Sequence, residues 1–143
     1  QWHRDARRFE NWERFIAGQI GLASAVRYAI DIGLDVIRGR IVELIHHLDL
    51  RLRDIELINV QEPIADNIQS CAGIVTASVN KPGAEDIQLA LREQNIHVTV
   101  VLERNAKLFL NNSERHEFIR ISPHYYNTTE EIDIFCEAIT KLV

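Results

Sequence analysis

The hydrophobic period of the sequence changes near residue 55, and this change constrains the fold more than any other feature. Before it, apolar residues recur every three to four positions, the spacing of an amphipathic helix. After it, short β-branched runs typical of half-buried strands take over. The pattern predicts helices at 13–32, 35–55, 84–93 and from 129 onward, and strands at 56–60, 73–79, 96–102 and 117–122.

This order of elements predicts an α+β fold. Two long N-terminal helices that meet at Gly33 precede a small, mostly antiparallel sheet, which is covered by helices on one face. The last helix has the most specific start signal, because residues 128–131 (Thr-Thr-Glu-Glu) match a capping box. The acidic residues also suit the positive end of the helix dipole.

The size and charge of the chain exclude several classes of protein. At 143 residues it has the size of one domain with one hydrophobic core. Its 16 basic and 21 acidic residues give a net charge of −5, which argues against nucleic acid or an anionic membrane surface as the main partner. No apolar run reaches the ~18 residues of a membrane-spanning helix. We therefore expect neither a nucleic-acid nor a membrane partner.

The first residues differ in pattern from the rest of the chain. Residues 1–14 mix Trp2, Phe9 and Trp12 with four arginines and have no clear period, so we expect an extended arm followed by a domain over 15–143. The chain begins with Gln, contains no Met and lacks the apolar stretch of a signal peptide. We expect a piece of a longer protein.

The two cysteines, Cys71 and Cys136, lie far apart in the sequence and match neither a zinc-ligand spacing nor a disulfide framework. Neither has an obvious His or Lys companion, so both are predicted to be packing residues rather than nucleophiles. This use of cysteine predicts a cytoplasmic protein.

Motifs of self-contained enzymes are missing from the sequence, which has no G-x-G-x-x-G, phosphate loop, G-x-S-x-G or H-E-x-x-H. Glu43, His46 and His47 lie within one helical turn and include a Glu-x-x-His half-motif of carboxylate metal bundles. Adjacent histidines point about 100° apart on a helix, and no second Glu-x-x-His follows. We interpret these residues as a solvated polar face and predict no metal site.

Arg120 has the most distinctive position among the basic residues. It lies near the end of the predicted strand 117–122, where alternating side chains can aim a guanidinium into a cleft just before a helix begins. The residue pattern leaves two interpretations open, an anion-binding arginine and an ordinary surface ion pair.

A group of motifs is spread over nearly the whole chain. They are residues 8–10 (Arg-Phe-Glu) before a long helix, 73–75 (Gly-Ile-Val), and above all 120–128 (Arg-Ile-Ser-Pro-His-Tyr-Tyr-Asn-Thr) with 130–133 (Glu-Glu-Ile-Asp). Together they resemble the C-terminal small domain of the class V aminotransferase family, which are fold type I enzymes that use pyridoxal phosphate. Residues 7–13 and 123–127 are most similar to the isopenicillin N epimerase-like branch.

The resemblance implies roles for particular residues. Arg120 matches the family arginine that holds the substrate α-carboxylate, a task suited to a planar, two-pronged donor. His124 and Tyr125 belong to the same motif and are implied to bind substrate. Trp12 and Glu13 match the place where cysteine desulfurases carry a Gly-Thr that reaches the neighbouring subunit's cofactor phosphate, which makes them the implied cofactor-binding residues.

The resemblance also implies partners. The lysine that forms the Schiff base with pyridoxal phosphate belongs to the family's large domain, so this chain is expected to hold no catalytic residue and no covalently bound cofactor, and to be inactive alone. The implied parent is a homo-oligomeric amino-acid epimerase, aminotransferase or lyase. The alternative is a free-standing α+β ligand-binding or regulatory module.

The resemblance also implies that the arm and the first helix lie against other parts of the enzyme in the family. Self-association of this chain is therefore expected from four uncovered aromatic residues, Trp2, Phe9, Trp12 and Phe15.

Two stretches depart from the desulfurase pattern. The Gly-Thr is missing near Trp12. The loop after strand 96–102 reads Glu-Arg-Asn-Ala-Lys over residues 103–107, where desulfurases carry their reactive cysteine. Sulfur transfer by that cysteine is therefore not expected.

Overall fold

The computed structural model describes residues 3–10, 14–61, 72–79, 81–102 and 117–143. The chain divides into two compact units, Gln1–Val36 and Ile37–Val143.

The first unit consists of a short turn and a long helix. One turn of 3-10 helix spans Ala6–Phe9, and the Asp5 side chain caps it by accepting from the Arg7 backbone N–H at 3.1 Å. The segment expected to be extended thus contains a helical turn, because Asp5 supplies a local cap. Helix α1 spans Ile16–Ile32 and ends at Gly33, whose φ of 99° lies in the left-handed region that favours glycine. No described residue of Ala6–Phe9 or α1 is buried.

Helix α2 spans Leu34–Arg53, which confirms the prediction of two long helices that meet at Gly33. Its apolar stripe is buried, and the buried residues are Leu44, Ile45, Leu48, Asp49 and Leu52. Asp49 is kept in this apolar surrounding by Arg53, whose Nε donates to its Oδ2 at 2.9 Å. Helices α3 and α4 span Ala84–Glu93 and Thr129–Thr140.

The capping box predicted for α4 is confirmed. The Glu131 N–H donates to the Thr128 hydroxyl at 3.2 Å, and the Thr128 N–H donates to the Glu131 carboxylate at 2.9 Å. Both contacts satisfy backbone groups that a helix start would otherwise leave unpaired.

The strands form one antiparallel sheet. Strands β1 to β4 span Ile58–Val60, Val75–Val79, Thr99–Leu102 and Glu117–Ile121, and their order in the sheet is β1-β2-β4-β3. All three pairings are antiparallel, which confirms the predicted α+β fold. Strands β1, β2 and β3 begin two or three residues later than predicted. The N–H of Ile58 closes a turn onto the Ile55 carbonyl, and the carbonyl of Val98 accepts from the Gln88 side chain.

The core lies between one face of the sheet and helices α2, α3 and α4. Val75, Ala77 and Ile119 point into it from the two central strands. Cys136 on α4 is 2% exposed, which confirms its predicted packing role, and desolvation raises the pKa of its thiol to about 11. Cys71 lies outside the described residues. Within the described ranges, no helix is long and apolar enough to cross a membrane.

Candidate functional site

Arg120 lies on the face of the sheet opposite the helices. Its neighbours along β4, Ile119 and Ile121, are buried in the core, so the alternation of the strand turns the Arg120 side chain away from it. The register places Thr76 of β2 directly opposite Arg120 on one side and Thr99 of β3 on the other. Residues directly opposite in paired strands point to the same face. A row of two threonines flanking an arginine therefore crosses the three strands.

The surroundings of Arg120 differ from those of an ordinary ion pair. The residue is exposed, and its side chain has no hydrogen bond or ion pair with any described residue. Other parts of the same face are covered, since Phe118 is 1% exposed and Ser78 is fully buried. Ser78 accepts from the Gln61 side chain at 3.1 Å. The structure thus gives no support to the surface ion pair within the described residues and leaves the guanidinium available to an external anion.

The chain segment after β4 forms a tight turn that carries three aromatic rings. The Asn127 N–H donates to the His124 carbonyl at 2.8 Å, and the His124 N–H donates to Asn127 Oδ1 at 2.8 Å. The rings of His124, Tyr125 and Tyr126 lie against one another, with centroids 4.6 to 5.6 Å apart. The two substrate-binding residues implied by the family motif, His124 and Tyr125, are therefore neighbours in one small cluster.

Asn127 connects this turn to two helices. Its Nδ2 donates to Glu131 Oε2 at 3.1 Å, and its carbonyl accepts from Arg40 Nη2 at 3.1 Å. Arg40 also pairs with Glu43, with 2.8 Å between Nη1 and Oε2. Hydrogen bonds from the Thr128 backbone and the Asn127 side chain lower the pKa of Glu131, so the carboxylate that receives these bonds stays ionised. The turn is held from α2 and α4 together.

Gly73 allows β2 to start close to the same turn. It is buried with a φ of 76°, and a Cβ built on it would lie 3.1 Å from Ile41 Cγ2 and 3.5 Å from the Pro123 carbonyl oxygen. A side chain here would be crowded and would occupy a strained conformation. Glycine at this position therefore allows the start of β2 to lie next to the end of β4.

The Glu-x-x-His half-motif on α2 is divided between different partners. Glu43 pairs with Arg40, while His47 Nε2 lies 2.9 Å from Asp133 Oδ1 on α4. Arg51 Nε lies 3.0 Å from the same oxygen but is not aligned for a hydrogen bond. His46 is exposed. No group of three metal-ligating side chains occurs in the described part of the chain.

A cleft lined by other residues lies elsewhere in the described part of the chain. It has a volume of about 570 Å³, an apolar floor that includes Leu48 and Phe135, and a rim that includes Tyr126 and Glu131. Arg120, His124 and Tyr125 do not line it. The cleft lies on the helix side of the sheet, whereas Thr76, Arg120 and Thr99 lie on the opposite side.

The implied cofactor contacts are not among the described residues. Trp12 and Glu13 lie outside them, as does Lys107. Lys81 and Lys141 are exposed, and neither has the buried setting typical of a lysine used as a nucleophile.

The sequence singles out Arg120 as a candidate but gives no indication of the threonines beside it or of the contact between Arg40 and Asn127. Threonine is common in strands, so Thr76 and Thr99 gave no signal until the strand register was known. Arg40 gave no signal because its contact with Asn127 joins residues 87 positions apart.

The sheet, its helical cover and the exposed Arg120 near the end of β4 define a small α+β domain. The family model of aminotransferase class V matches residues 1–135, and the chain belongs to that family. A probable cysteine desulfurase of Halalkalibacterium halodurans is 31% identical over 134 residues, covering 94% of this chain and 32% of that protein. One of Pyrococcus abyssi is 30% identical and covers 95% of this chain and 33% of its own length.

Solved structures show the same fold. An apo cysteine desulfurase of Thermococcus onnurineus superposes with a TM-score of 0.86 at 27% identity, over 100% of this chain and 35% of that one. A mutant of C-DES with glycine covalently linked to its pyridoxal phosphate superposes with a TM-score of 0.76 at 22% identity, over 99% of this chain and 33% of its own. The chain thus spans about a third of the length of the relatives it matches.

Proposed function

We propose that this chain is the substrate-binding small domain of a pyridoxal-phosphate enzyme that acts on amino acids, with Arg120 holding the substrate carboxylate. The observation that carries the proposal is an exposed guanidinium without a partner among the described residues, at a position that matches the family's carboxylate-binding arginine. Family membership and the limited share of each relative that the chain spans favour this proposal over a free-standing module. A cytoplasmic location belongs to the same proposal.

The division of labour follows from which residues the chain contains. Bound pyridoxal phosphate supplies a sink for the electron pair left at Cα when the substrate loses a proton. The lysine and phosphate contacts for that cofactor are assigned to a large domain of the same parent, since the described lysines here are exposed. Arg120 fixes the carboxylate, and the turn at His124 and Tyr125 borders the substrate beside it. Fixing one end of the substrate orients its Cα for reaction.

The reaction type is proposed from the motif around the turn. Residues 123–127 (Pro-His-Tyr-Tyr-Asn) favour an isopenicillin N epimerase-like enzyme, an isomerase. The second candidate is cysteine desulfuration, because the relatives described above carry that name. Residues 103–107 contain no cysteine, so a desulfurase of this sequence would need a sulfur acceptor from another position. A homo-oligomeric parent is part of the proposal.

The test is the substitution Arg120→Lys in the full-length parent. Loss of the two-pronged contact is expected to lower kcat/KM for the amino acid, with a loss of about 2 to 4 kcal/mol in transition-state binding, while the cofactor absorbance stays unchanged. Arg92→Lys, at an exposed arginine of α3, is the matched control and should leave both readings unchanged. Unaltered kinetics of Arg120→Lys would remove Arg120 from the site.

The cofactor assignment has its own test. The isolated chain, incubated with pyridoxal phosphate and reduced with borohydride, should show only scattered labelling over Lys81, Lys107 and Lys141 in a peptide map. Stoichiometric labelling of one lysine would overturn the assignment of the cofactor to another domain.

A further inference from the structure

The hydroxyl of Thr99 lies in the same cross-strand row as the Arg120 guanidinium. Thr99 begins β3 and pairs with Arg120 directly, so the two side chains start from Cβ atoms about 4.5 to 5.5 Å apart on one face. The next pair along, Val100 with Ile119, points to the core instead. The register therefore fixes Thr99 as the β3 side chain nearest to Arg120 on the substrate face.

The surroundings of Thr99 distinguish it from the other polar groups of this face. Ser78 is buried and bonded to Gln61. Thr76 already has an interaction partner. Thr99 is exposed, and its side chain makes no hydrogen bond within the described residues. Its hydroxyl is the one in the row that is both accessible and uncommitted.

The chemistry of a carboxylate suits this pair of side chains. An ionised carboxyl group has two oxygens with about four acceptor positions, and an arginine fork occupies two of them. A neighbouring O–H can donate to a third position from the side. Threonine is β-branched and restricted at χ1, so its hydroxyl is ordered at little entropic cost.

We propose that Thr99 is a substrate-binding residue whose hydroxyl donates a hydrogen bond to the carboxylate that Arg120 holds. The ligand class is an α-amino acid with a free carboxylate. This inference rests on the proposed function of Arg120 and adds a second donor from a different strand. It also explains why a short polar residue, rather than a large one, borders the guanidinium on the β3 side.

The test uses nuclear magnetic resonance on this chain, with alanine as the probe. The Thr99 methyl and the Arg120 Nε–H signals should shift saturably with alanine and should not shift with alanine methyl ester, which lacks the free carboxylate. Thr99→Val keeps the shape and removes the hydroxyl, and should weaken alanine binding about ten- to hundredfold, the value of one hydrogen bond to a charged group. Thr99→Ser should restore the affinity.

The outcomes separate this inference from the proposal on which it rests. If Arg120→Lys abolishes binding while Thr99→Val binds alanine like the unaltered chain, Thr99 is a strand residue only and the inference is wrong. If Arg120→Lys leaves binding unchanged, the role of Arg120 fails as well. If alanine and its ester shift the signals equally, or alanine shifts neither signal, both are overturned. Thr99→Ala provides a second hydroxyl-free variant should Thr99→Val lose its dispersed amide spectrum.

Discussion

Helices α1 and α2 are consecutive in the chain, similar in length and opposite in burial. The 17 residues of α1 include two charged side chains, Arg27 and Asp31, and none of its residues is buried. The 20 residues of α2 include seven charged side chains, and five of its residues are buried. The more apolar helix is therefore the more exposed one. A helix that is apolar on all sides is normally buried, so α1 is expected to have its cover in another polypeptide segment.

The largest expected effect is association of the chain through α1. Six large apolar side chains of this helix are between 49% and 65% exposed, namely Ile16, Ile20, Leu22, Val26, Tyr28 and Ile30. So large an apolar surface favours self-association. Light scattering should give at least twice the mass of one chain. The double variant Val26→Glu with Ile30→Lys introduces an i,i+4 ion pair that supports the helix, and it should return the mass to that of a monomer.

A matched control separates α1 from exposed apolar residues in general. Leu89 on α3 is 59% exposed but belongs to the second unit. Leu89→Glu should leave the association unchanged. A monomeric unaltered chain, or an equal effect of Leu89→Glu, would contradict the role assigned to α1. Phe9 and Phe15 are 76% and 80% exposed, as the sequence led us to expect, while Trp2 and Trp12 lie outside the described residues. A variant that lacks residues 1–14 tests their share.

The second prediction compares the cost of truncating one residue in each helix. Leu48 of α2 is fully buried, whereas Ile20 of α1 is 64% exposed. Leu48→Ala should lower the free energy of unfolding by about 2 to 5 kcal/mol, because it removes buried methyl groups and leaves a cavity. Ile20→Ala should change it by less than about 0.5 kcal/mol. Urea denaturation of both variants is the measurement, and similar costs would mean that α1 is covered after all.

The predicted bounds of an element are correct where they depend on residues that are close in the sequence. They are wrong at strand ends, which depend on pairing with another strand. Helix α3 begins after Pro82 and Gly83 and ends before Asn95, whose φ of 60° marks a left-handed stop, and its bounds match the prediction. The capping box at Thr128 is equally local. Strand β3 starts three residues later than predicted, because strand limits depend on a partner strand that the β-branched pattern does not identify.

The candidate site divides in the same way. Arg120 was found because its strand end and its motif are contiguous in the sequence. Its neighbours Thr76 and Thr99 lie 44 and 21 positions earlier in the chain and meet it only through the register. A long-range pairing of this kind leaves no local trace in a single sequence. The burial of the helices could not be predicted either, since the apolar spacing of α1 resembles that of a buried helix.

The third prediction compares two glycines. Gly73 has a φ of 76° and a crowded Cβ position, whereas Gly21 lies within α1 with nothing within 4 Å of a built Cβ. Gly73→Ala should destabilise the second unit by about 1 to 3 kcal/mol, because alanine must adopt a strained conformation. Gly21→Ala should stabilise α1 by up to about 1 kcal/mol and raise the helical circular dichroism. Equal losses in both variants would show that Gly21 also meets a neighbour.

The smallest expected effect is the change in stability as pH falls. The comparison is between one carboxylate of each unit, Glu131 and Asp5. Bonds from the Thr128 backbone and the Asn127 side chain lower the pKa of Glu131 below 4.5, and the Arg7 side chain lowers the pKa of Asp5 below 3.8. A carboxylate with a lowered folded pKa stabilises the fold above its unfolded pKa, and this contribution is lost as pH falls through the folded value. For Glu131 the loss therefore begins near pH 4.5. Glu131 caps α4, which packs in the core, so the loss of its contribution affects global unfolding. Asp5 caps a turn without buried residues, so the loss of its contribution should stay local.

Urea denaturation between neutral and acid pH is the measurement. The urea midpoint should fall less steeply for Glu131→Gln than for the unaltered chain, and Asp5→Asn should follow the unaltered chain. A shallower fall of the urea midpoint with pH for Asp5→Asn would mean that the first unit contributes to the stability of the fold.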